Sequence, residues 1–189
     1  MQYISLNVQT TGLDPDKHQI LELAAIAEDT TEDVNINELP LFHAYIKRDN
    51  YIGSAEGLSL NIETLKYLAS DNLKDLWDER CLAEELFRWM CNNIGSASYC
   101  FEDNEITLAG KNIGSFDYQF LKKLPDSERL IYSISHNFID PTMLYMDFKN
   151  DICLPSTRVC WSKLKLPYVC NFKAVDVAKS TIGLLREKY

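Results

Sequence analysis

Long apolar runs, a basic leader, a basic surface and paired cysteines are all missing from this chain of 189 residues, and each absence removes a class of function. No stretch approaches the ~18 consecutive apolar residues that a membrane-spanning helix needs, and the start lacks a positively charged, signal-like region. The expectation is a cytoplasmic protein with no membrane partner. Lys and Arg number 19 against 28 Asp and Glu, for a net charge of −9. Sequence-blind binding along nucleic acid needs a basic footprint, so that class is set aside, while a small pocket gripping one chain end remains open. The six cysteines (Cys81, Cys91, Cys100, Cys153, Cys160, Cys170) form no CxxC pair and show no Cys/His ligand spacing. They read as reduced thiols packed as small hydrophobes rather than as disulfides or zinc ligands. No repeat, low-complexity tract or linker interrupts the chain, so residues 1–189 read as one domain, long enough for a sizeable core.

What is present is a succession of short strands followed by helices. Residues 2–8 and 19–27 alternate or run apolar between turn signals, which predicts a β-hairpin. "LPLFHAYIK", Leu39 to Lys47, predicts a third strand, and the segment after it a loop leading into a short helix. "DERCLAEELFRWMCNNIG" puts Leu82, Leu86, Trp89 and Met90 on one helical face and ends at Gly95. Ile106 to Ala109 reads as a buried strand, followed by a glycine-containing turn and a helix from about Ser115. "NFIDPTMLY" reads as a short strand cut off by Pro141. The C-terminal segment is an amphipathic helix with Ala174, Ala178, Ile182 and Leu185 on one face. The order predicts an α/β fold, a mixed central sheet flanked by helices. The acidic run "EDTTEDVNINE" reads as an exposed hairpin loop.

Two amides stand out in the opening stretch "YISLNVQTTGLDPDKHQILELAAIA". Asn7 and Gln9 are spaced i, i+2 on a strand and therefore share a face. With their surroundings they carry a resemblance. "NVQTTGLDP" resembles the first motif of the DEDD superfamily of 3′–5′ exonucleases, a strand reading Asp-x-Glu before Thr-Gly or Thr-Thr-Gly. "GKNIGSFDYQFL" resembles the second motif, with Asp117 as its Asp. "NFKAVDVAKSTIGLL" resembles the third, in which a His precedes an Asp by five positions; here Asn171 precedes Asp176 by five. "HNFIDPTMLY" is similar to the strand between the second and third motifs. The three motifs occur in order across nearly the whole chain, and the oligoribonuclease-like branch is the most similar. The resemblance implies a ribonuclease H-like fold.

It also implies a chemistry. In this superfamily four carboxylates hold two divalent cations, Mg²⁺ or Mn²⁺, about 4 Å apart, which activate a water and stabilise the leaving oxygen. A His near the metals acts as general base. Against that template Asn7 stands for Asp, Gln9 for Glu and Asn171 for His, while Asp117 and Asp176 remain. Two formal charges and the base are gone, which argues against binding of either cation. A sister branch carries a Tyr four residues before the last Asp; here that position is Phe172. His18, His43 and His136 fall in none of the motifs. The resemblance further implies a nucleotide contact by the turn Thr10, Thr11 and Gly12, with Leu13 and Phe116 as walls against a base. Lys111 and Lys173 are candidates for phosphates.

The expected function is that of an exonuclease-fold protein, inactive as written, holding a single-stranded DNA or RNA 3′ end or a protein partner. Two further readings stay open. One is a metal-dependent exonuclease, either with residual Mn²⁺ activity through Asp117, Asp176 and the amide oxygens of Asn7 and Gln9, or an engineered inactive form made to trap substrate. The other is a structural docking module. Plainer accounts exist for each residue: Asn7 and Gln9 as polar residues on a solvated edge strand, Asp117 as a first-turn helix residue, Asp176 as a solvated helix residue, Leu13 and Phe116 as core.

Overall fold

Strand β1 (Gln2–Thr10) alternates, and the alternation builds a two-sided molecule. Ile4, Leu6 and Val8 point to one side of the sheet and Tyr3, Ser5, Asn7 and Gln9 to the other. In this computed structural model, which describes residues 1–70, 73–94, 106–168 and 173–189, β1 pairs antiparallel with β2 (Ile20–Asp29). β2 pairs antiparallel with β3 (Leu41–Ile46). Two-residue strands close the edges: β4 (Leu76–Trp77) lies parallel to β3, and β5 (Leu108–Ala109) lies parallel to β1. The five-stranded order is β4-β3-β2-β1-β5.

The Ile4–Leu6–Val8 face joins Leu23, Ala25, Phe42, Ala44 and Ile46 in the larger core. Helix α3 (Glu79–Asn93), capped by the Asp78 side chain, sends Leu82, Leu86 and Met90 into it, with Trp89 half-buried at its margin. Full burial of each such side chain is worth roughly 1.5–3 kcal/mol. The predicted helix end at Gly95 lies outside the described residues; Ile94 caps the helix by donating its N–H to Met90. Helices α4 (Asp117–Leu121) and α5 (Glu128–Ser133) complete this layer.

The opposite face is covered by α7 (Ala174–Arg186), the predicted C-terminal helix. Ala178, Ile182 and Leu185 pack on Tyr3 and Ile26, and Ser5 Oγ donates to the Ala178 carbonyl at 2.8 Å. Two residues of the acidic run expected to be exposed, Glu28 and Asp29, instead belong to β2. Glu28 is buried because its carboxylate meets the Arg186 guanidinium of α7, with contacts of 2.8 and 2.9 Å.

Where one short helix was expected after β3 there are two, α1 (Ala55–Leu60) and α2 (Ile62–Leu68), divided at Asn61. The predicted strand 106–109 shrinks to Leu108–Ala109, with Ile106 making only an isolated bridge to Ile134, and the chain then turns at Gly110, packed close to the Leu6 carbonyl. The turn carries Asn112 at φ 56°, and Ser115 and Phe116 donate to its carbonyl, so α4 begins at Asp117 rather than Ser115. After β5 the strand expected at "NFIDPTMLY" is a single bridge, Ala109 to Ile139, before a 3₁₀ turn at Pro141–Tyr145. A proline cannot extend a strand ladder. Helix α6 (Thr157–Lys163) packs between this turn and α7 through Tyr145, Cys160 and Leu184. Cys81, Cys91, Cys153 and Cys160 are free thiols; Cys100 and Cys170 lie outside the described residues.

Candidate functional site

The end of β5 at Ala109 has a consequence for β1. Parallel pairing stops at Ser5, so the Val8 N–H on that edge has no strand partner. It donates instead to Asp117 Oδ1 at 2.8 Å. Asn7 Nδ2 donates to the same oxygen at 3.1 Å, and Gln9 Nε2 donates to Asn7 Oδ1 at 2.8 Å. Three of the residues singled out in the sequence are thereby joined in one hydrogen-bonded chain.

Asp117 is buried at 1% exposure. Burial pushes its carboxyl up to about 7, opposed by the hydrogen bonds from Val8, its own backbone and Asn7. Both external donors reach Oδ1, so in the neutral acid the proton belongs on Oδ2. Near pH 7 this group divides between its neutral and charged forms.

The Thr10–Leu13 turn is held from several sides. Thr10 Oγ1 donates to the Gly12 carbonyl at 2.6 Å, and Thr11 Oγ1 donates to Ile52 at 2.6 Å while accepting from the Gln19 N–H. Asn61 Nδ2 donates to the Thr10 carbonyl at 2.9 Å, and the Ser54 N–H to that of Thr11 at 3.0 Å. Gly12 is needed for closeness: a Cβ there would lie 2.6 Å from the His18 ring. Leu13 stands 77% exposed at the tip. Phe116 is partly buried against the larger core and packs on Phe120, ring centroids 5.1 Å apart.

Asp176 sits in the first turn of α7, half-buried. Tyr3 packs beside Ile182 and Leu185 while Ser5 meets Ala178, so the helix runs antiparallel to β1 and its first turn lies toward the Asn7 end. Asp176 makes no hydrogen bond to Asn7, Gln9 or Asp117. Asn171 and Phe172 lie outside the described residues. Lys111 Nζ donates to the Pro155 carbonyl at 2.9 Å, a structural tie, and Lys173 is exposed at the start of α7. Among the described residues, no three His, Cys, Asp or Glu side chains are grouped to hold a metal ion.

Sequence reasoning missed two neighbours. Glu22 lies directly opposite Gln9 on β2, fully buried, with Oε1 bonded to His43 Nε2 at 2.9 Å. The signal was available, since one acidic residue interrupts the apolar run "ILELAAIA". Asn61, which ties the Thr10 carbonyl to α1, carried no such signal.

No family model and no curated protein matches the sequence. Solved structures do match. Escherichia coli exonuclease I in complex with a dT13 oligonucleotide aligns over 98% of this chain and 40% of that one, with 15% identity and a TM-score of 0.65. The zinc-bound exonuclease I–ssDNA complex covers 99% and 41%, at 15% identity and 0.66. A moderately thermophilic exonuclease I from Methylocaldum szegediense covers 99% and 40%, at 13% identity and 0.63. The chain thus spans about two fifths of the length of these structures. At such identities the likeness speaks to architecture, and that architecture is the mixed-sheet, ribonuclease H-like α/β fold of exonuclease I.

Proposed function

We propose that residues 1–189 form one 3′–5′ exonuclease-like domain, cytoplasmic, that holds a single-stranded 3′ end without cleaving it. The observation that carries this reading is the amide chain Gln9–Asn7–Asp117. Where the superfamily pattern has carboxylates, Asn7 places an N–H on Asp117 Oδ1, and the Asn7 oxygen is itself taken by Gln9. An amide hydrogen and a divalent cation compete for the same lone pairs, and two of the four negative charges are replaced. This donor set does not fit a pair of Mg²⁺ or Mn²⁺ ions. Asp117 is a hydrogen-bond acceptor that fixes the register of Asn7 and Gln9. The Thr10–Leu13 turn is the nucleotide contact, with exposed Leu13 free to wedge against a terminal base and Phe116 as a second wall.

The ligand is supported by the company the fold keeps: the matching structures include complexes with dT13 and dA16 oligonucleotides. A protein partner is the second reading, supported by an exonuclease I–SSB-Ct complex among the same structures. Residual Mn²⁺ chemistry draws support only from the retained Asp117 and Asp176.

The test restores what the pattern lacks. Asn7→Asp, Gln9→Glu and Asn171→His together should give Mg²⁺- or Mn²⁺-dependent release of nucleotides from a single-stranded oligonucleotide, and each alone should give little, because groups acting as a unit are strongly non-additive. Comparable cleavage by the unchanged chain overturns the claim of inactivity. A folded triple variant that binds metal and cleaves neither DNA nor RNA overturns the assignment of Asn7, Gln9 and Asn171 to the catalytic positions.

A further inference from the structure

Residues 152–175 hold Arg158, Lys163, Lys165 and Lys173 but neither Asp nor Glu, in a chain with 28 acidic residues and a net charge of −9. Several cations elsewhere on the surface are neutralised close by: Lys17 by Asp14, Lys66 by Glu63, Arg80 by Asp78 and Lys123 by Asp16. Lys163 is occupied in the same way, its Nζ donating to Asp151 and to the Tyr145 carbonyl. Arg158, Lys165 and Lys173 are exposed, and among the described residues none of the three makes an ion pair.

The backbone that carries these cations is firmly placed. The Ser156 cap of α6 accepts from the Val159 N–H at 3.3 Å, Cys160 turns into the cluster with Tyr145 and Leu184, and Trp161 Nε1 donates to Ser180 Oγ of α7 at 2.7 Å. With Cys160 inward, Arg158 and Ser162, four apart on one helical face, are left to solvent. Just past the helix end Lys165 stands at φ 58°, its N–H donating to the Ser162 carbonyl at 3.0 Å, which holds its backbone against the last turn. Both ends of the segment reach the candidate site. Lys111, on the turn that leads to Asp117, holds the Pro155 carbonyl at 2.9 Å, and Lys173 opens the α7 turn that carries Asp176.

We propose that Arg158 and Lys165 hold one or two phosphates of a single strand, on the 5′ side of the nucleotide at the Thr10–Leu13 turn; this rests on the reading of that turn as the nucleotide contact. Charges are screened beyond about 8 Å at physiological salt, so a phosphate answers to the cations beside it rather than to the −9 of the whole chain. A strand whose last base sits at the turn must leave over some face of an acidic molecule, and residues 152–175 are a stretch where no carboxylate repels it. The Arg158 guanidinium offers two parallel donors to phosphate oxygens, and Lys165 adds a point charge. An acidic peptide would meet the same cations, but the ties of this segment to the turn before Asp117 and to the start of α7 favour the strand.

The probe is a 5′-labelled oligothymidylate of about ten nucleotides, read by fluorescence anisotropy with the full chain from 50 to 200 mM salt. Arg158→Gln and Lys165→Gln, changes at exposed and unpaired side chains, should each weaken binding about three- to tenfold at 50 mM salt and reduce the salt slope by about 0.7. Leu13→Ser should weaken binding and leave the slope as it was. A thymidine dinucleotide, whose one phosphate lies next to the turn, should bind both charge variants as it binds the parent. Charge variants that keep the parent's affinity and slope, while Leu13→Ser still weakens binding, overturn the proposal and leave the turn in place. A flattened slope with Leu13→Ser unaffected supports the α6 strip and overturns the reading of the turn. No binding by the parent overturns both. A short polyglutamate that displaces the oligonucleotide and binds the parent as tightly overturns the assignment of the strip to a nucleic acid strand.

Discussion

Asp117 is the residue whose environment makes the most definite demand. Its carboxyl is raised from 3.8 to about 7 in the folded chain, so the native state prefers the neutral acid. The stabilisation is therefore fully present below pH 3.8 and is lost as pH rises through 7, since the unfolded chain releases this proton first. Each pH unit in that window is worth about 1.4 kcal/mol, or about 4 kcal/mol across it. Asp117→Asn keeps an acceptor for Val8 and Asn7 and replaces the protonated Oδ2 with an amide donor. Thermal melts from pH 4 to pH 8 should show the variant gaining on the parent steadily as pH rises. Parallel curves would mean that Asp117 is ionised throughout. The same geometry bears on Mg²⁺, which would meet the Asn7 and Val8 hydrogens at Oδ1 and, near pH 7, a partly protonated Oδ2. Millimolar Mg²⁺ should leave the melting temperature of the unchanged chain where it was, and a saturable rise would show a working cation cage.

At the scale of elements, the Thr10–Leu13 turn depends on how closely α1 approaches it. A Cβ at Gly57 would lie 2.4 Å from the Thr11 carbonyl oxygen and 2.8 Å from Gly12 Cα, backbone atoms that cannot swing aside. Helix propensity alone favours Ala over Gly by about 1 kcal/mol, but overpacking of this kind costs about 1–3 kcal/mol. Gly57→Ala should thus destabilise the chain by up to about 2 kcal/mol in urea titrations, and a gain in stability would show that the turn yields. This contact spans more than forty residues of sequence and left no local trace, which is why Gly57 and Asn61 were not legible beforehand. The elements with strong periodicity were. β1, β2 and β3, the apolar face of α3 and that of α7 all form where their patterns placed them, because burial on one face fixes register. The short pieces were not, since β5 is cut to two residues by the pairing of Ile106 with Ile134 and the segment at Pro141 by a missing N–H rather than by any period. At the site, the i, i+2 spacing was enough to bring Asn7 and Gln9 to one face, whereas the pairing of Asp117 with Val8 follows from where β5 stops. Glu22 and His43 needed the β2–β3 register.

For the whole molecule, charge decides what kind of ligand the site can take. With −9 overall, long duplexes are repelled, and any nucleic acid must be held locally. The retained turn ends in an exposed Leu13, an apolar wedge for an unstacked base rather than a cation for a phosphate. A short single strand with a free 3′ end should therefore bind more tightly than a blunt duplex of the same length, and Leu13→Ser should weaken the single strand selectively. The salt dependence separates this mode from a basic groove. Contact with one or two phosphates gives a slope of about 1.4 or less in log K against log salt, because each neutralised phosphate of a single strand contributes about 0.7. Fluorescence anisotropy from 50 to 200 mM salt measures that slope directly. A steep slope would mean that an extended phosphate track has been missed, and equal, undetectable binding of both oligonucleotides would move the function to a protein partner.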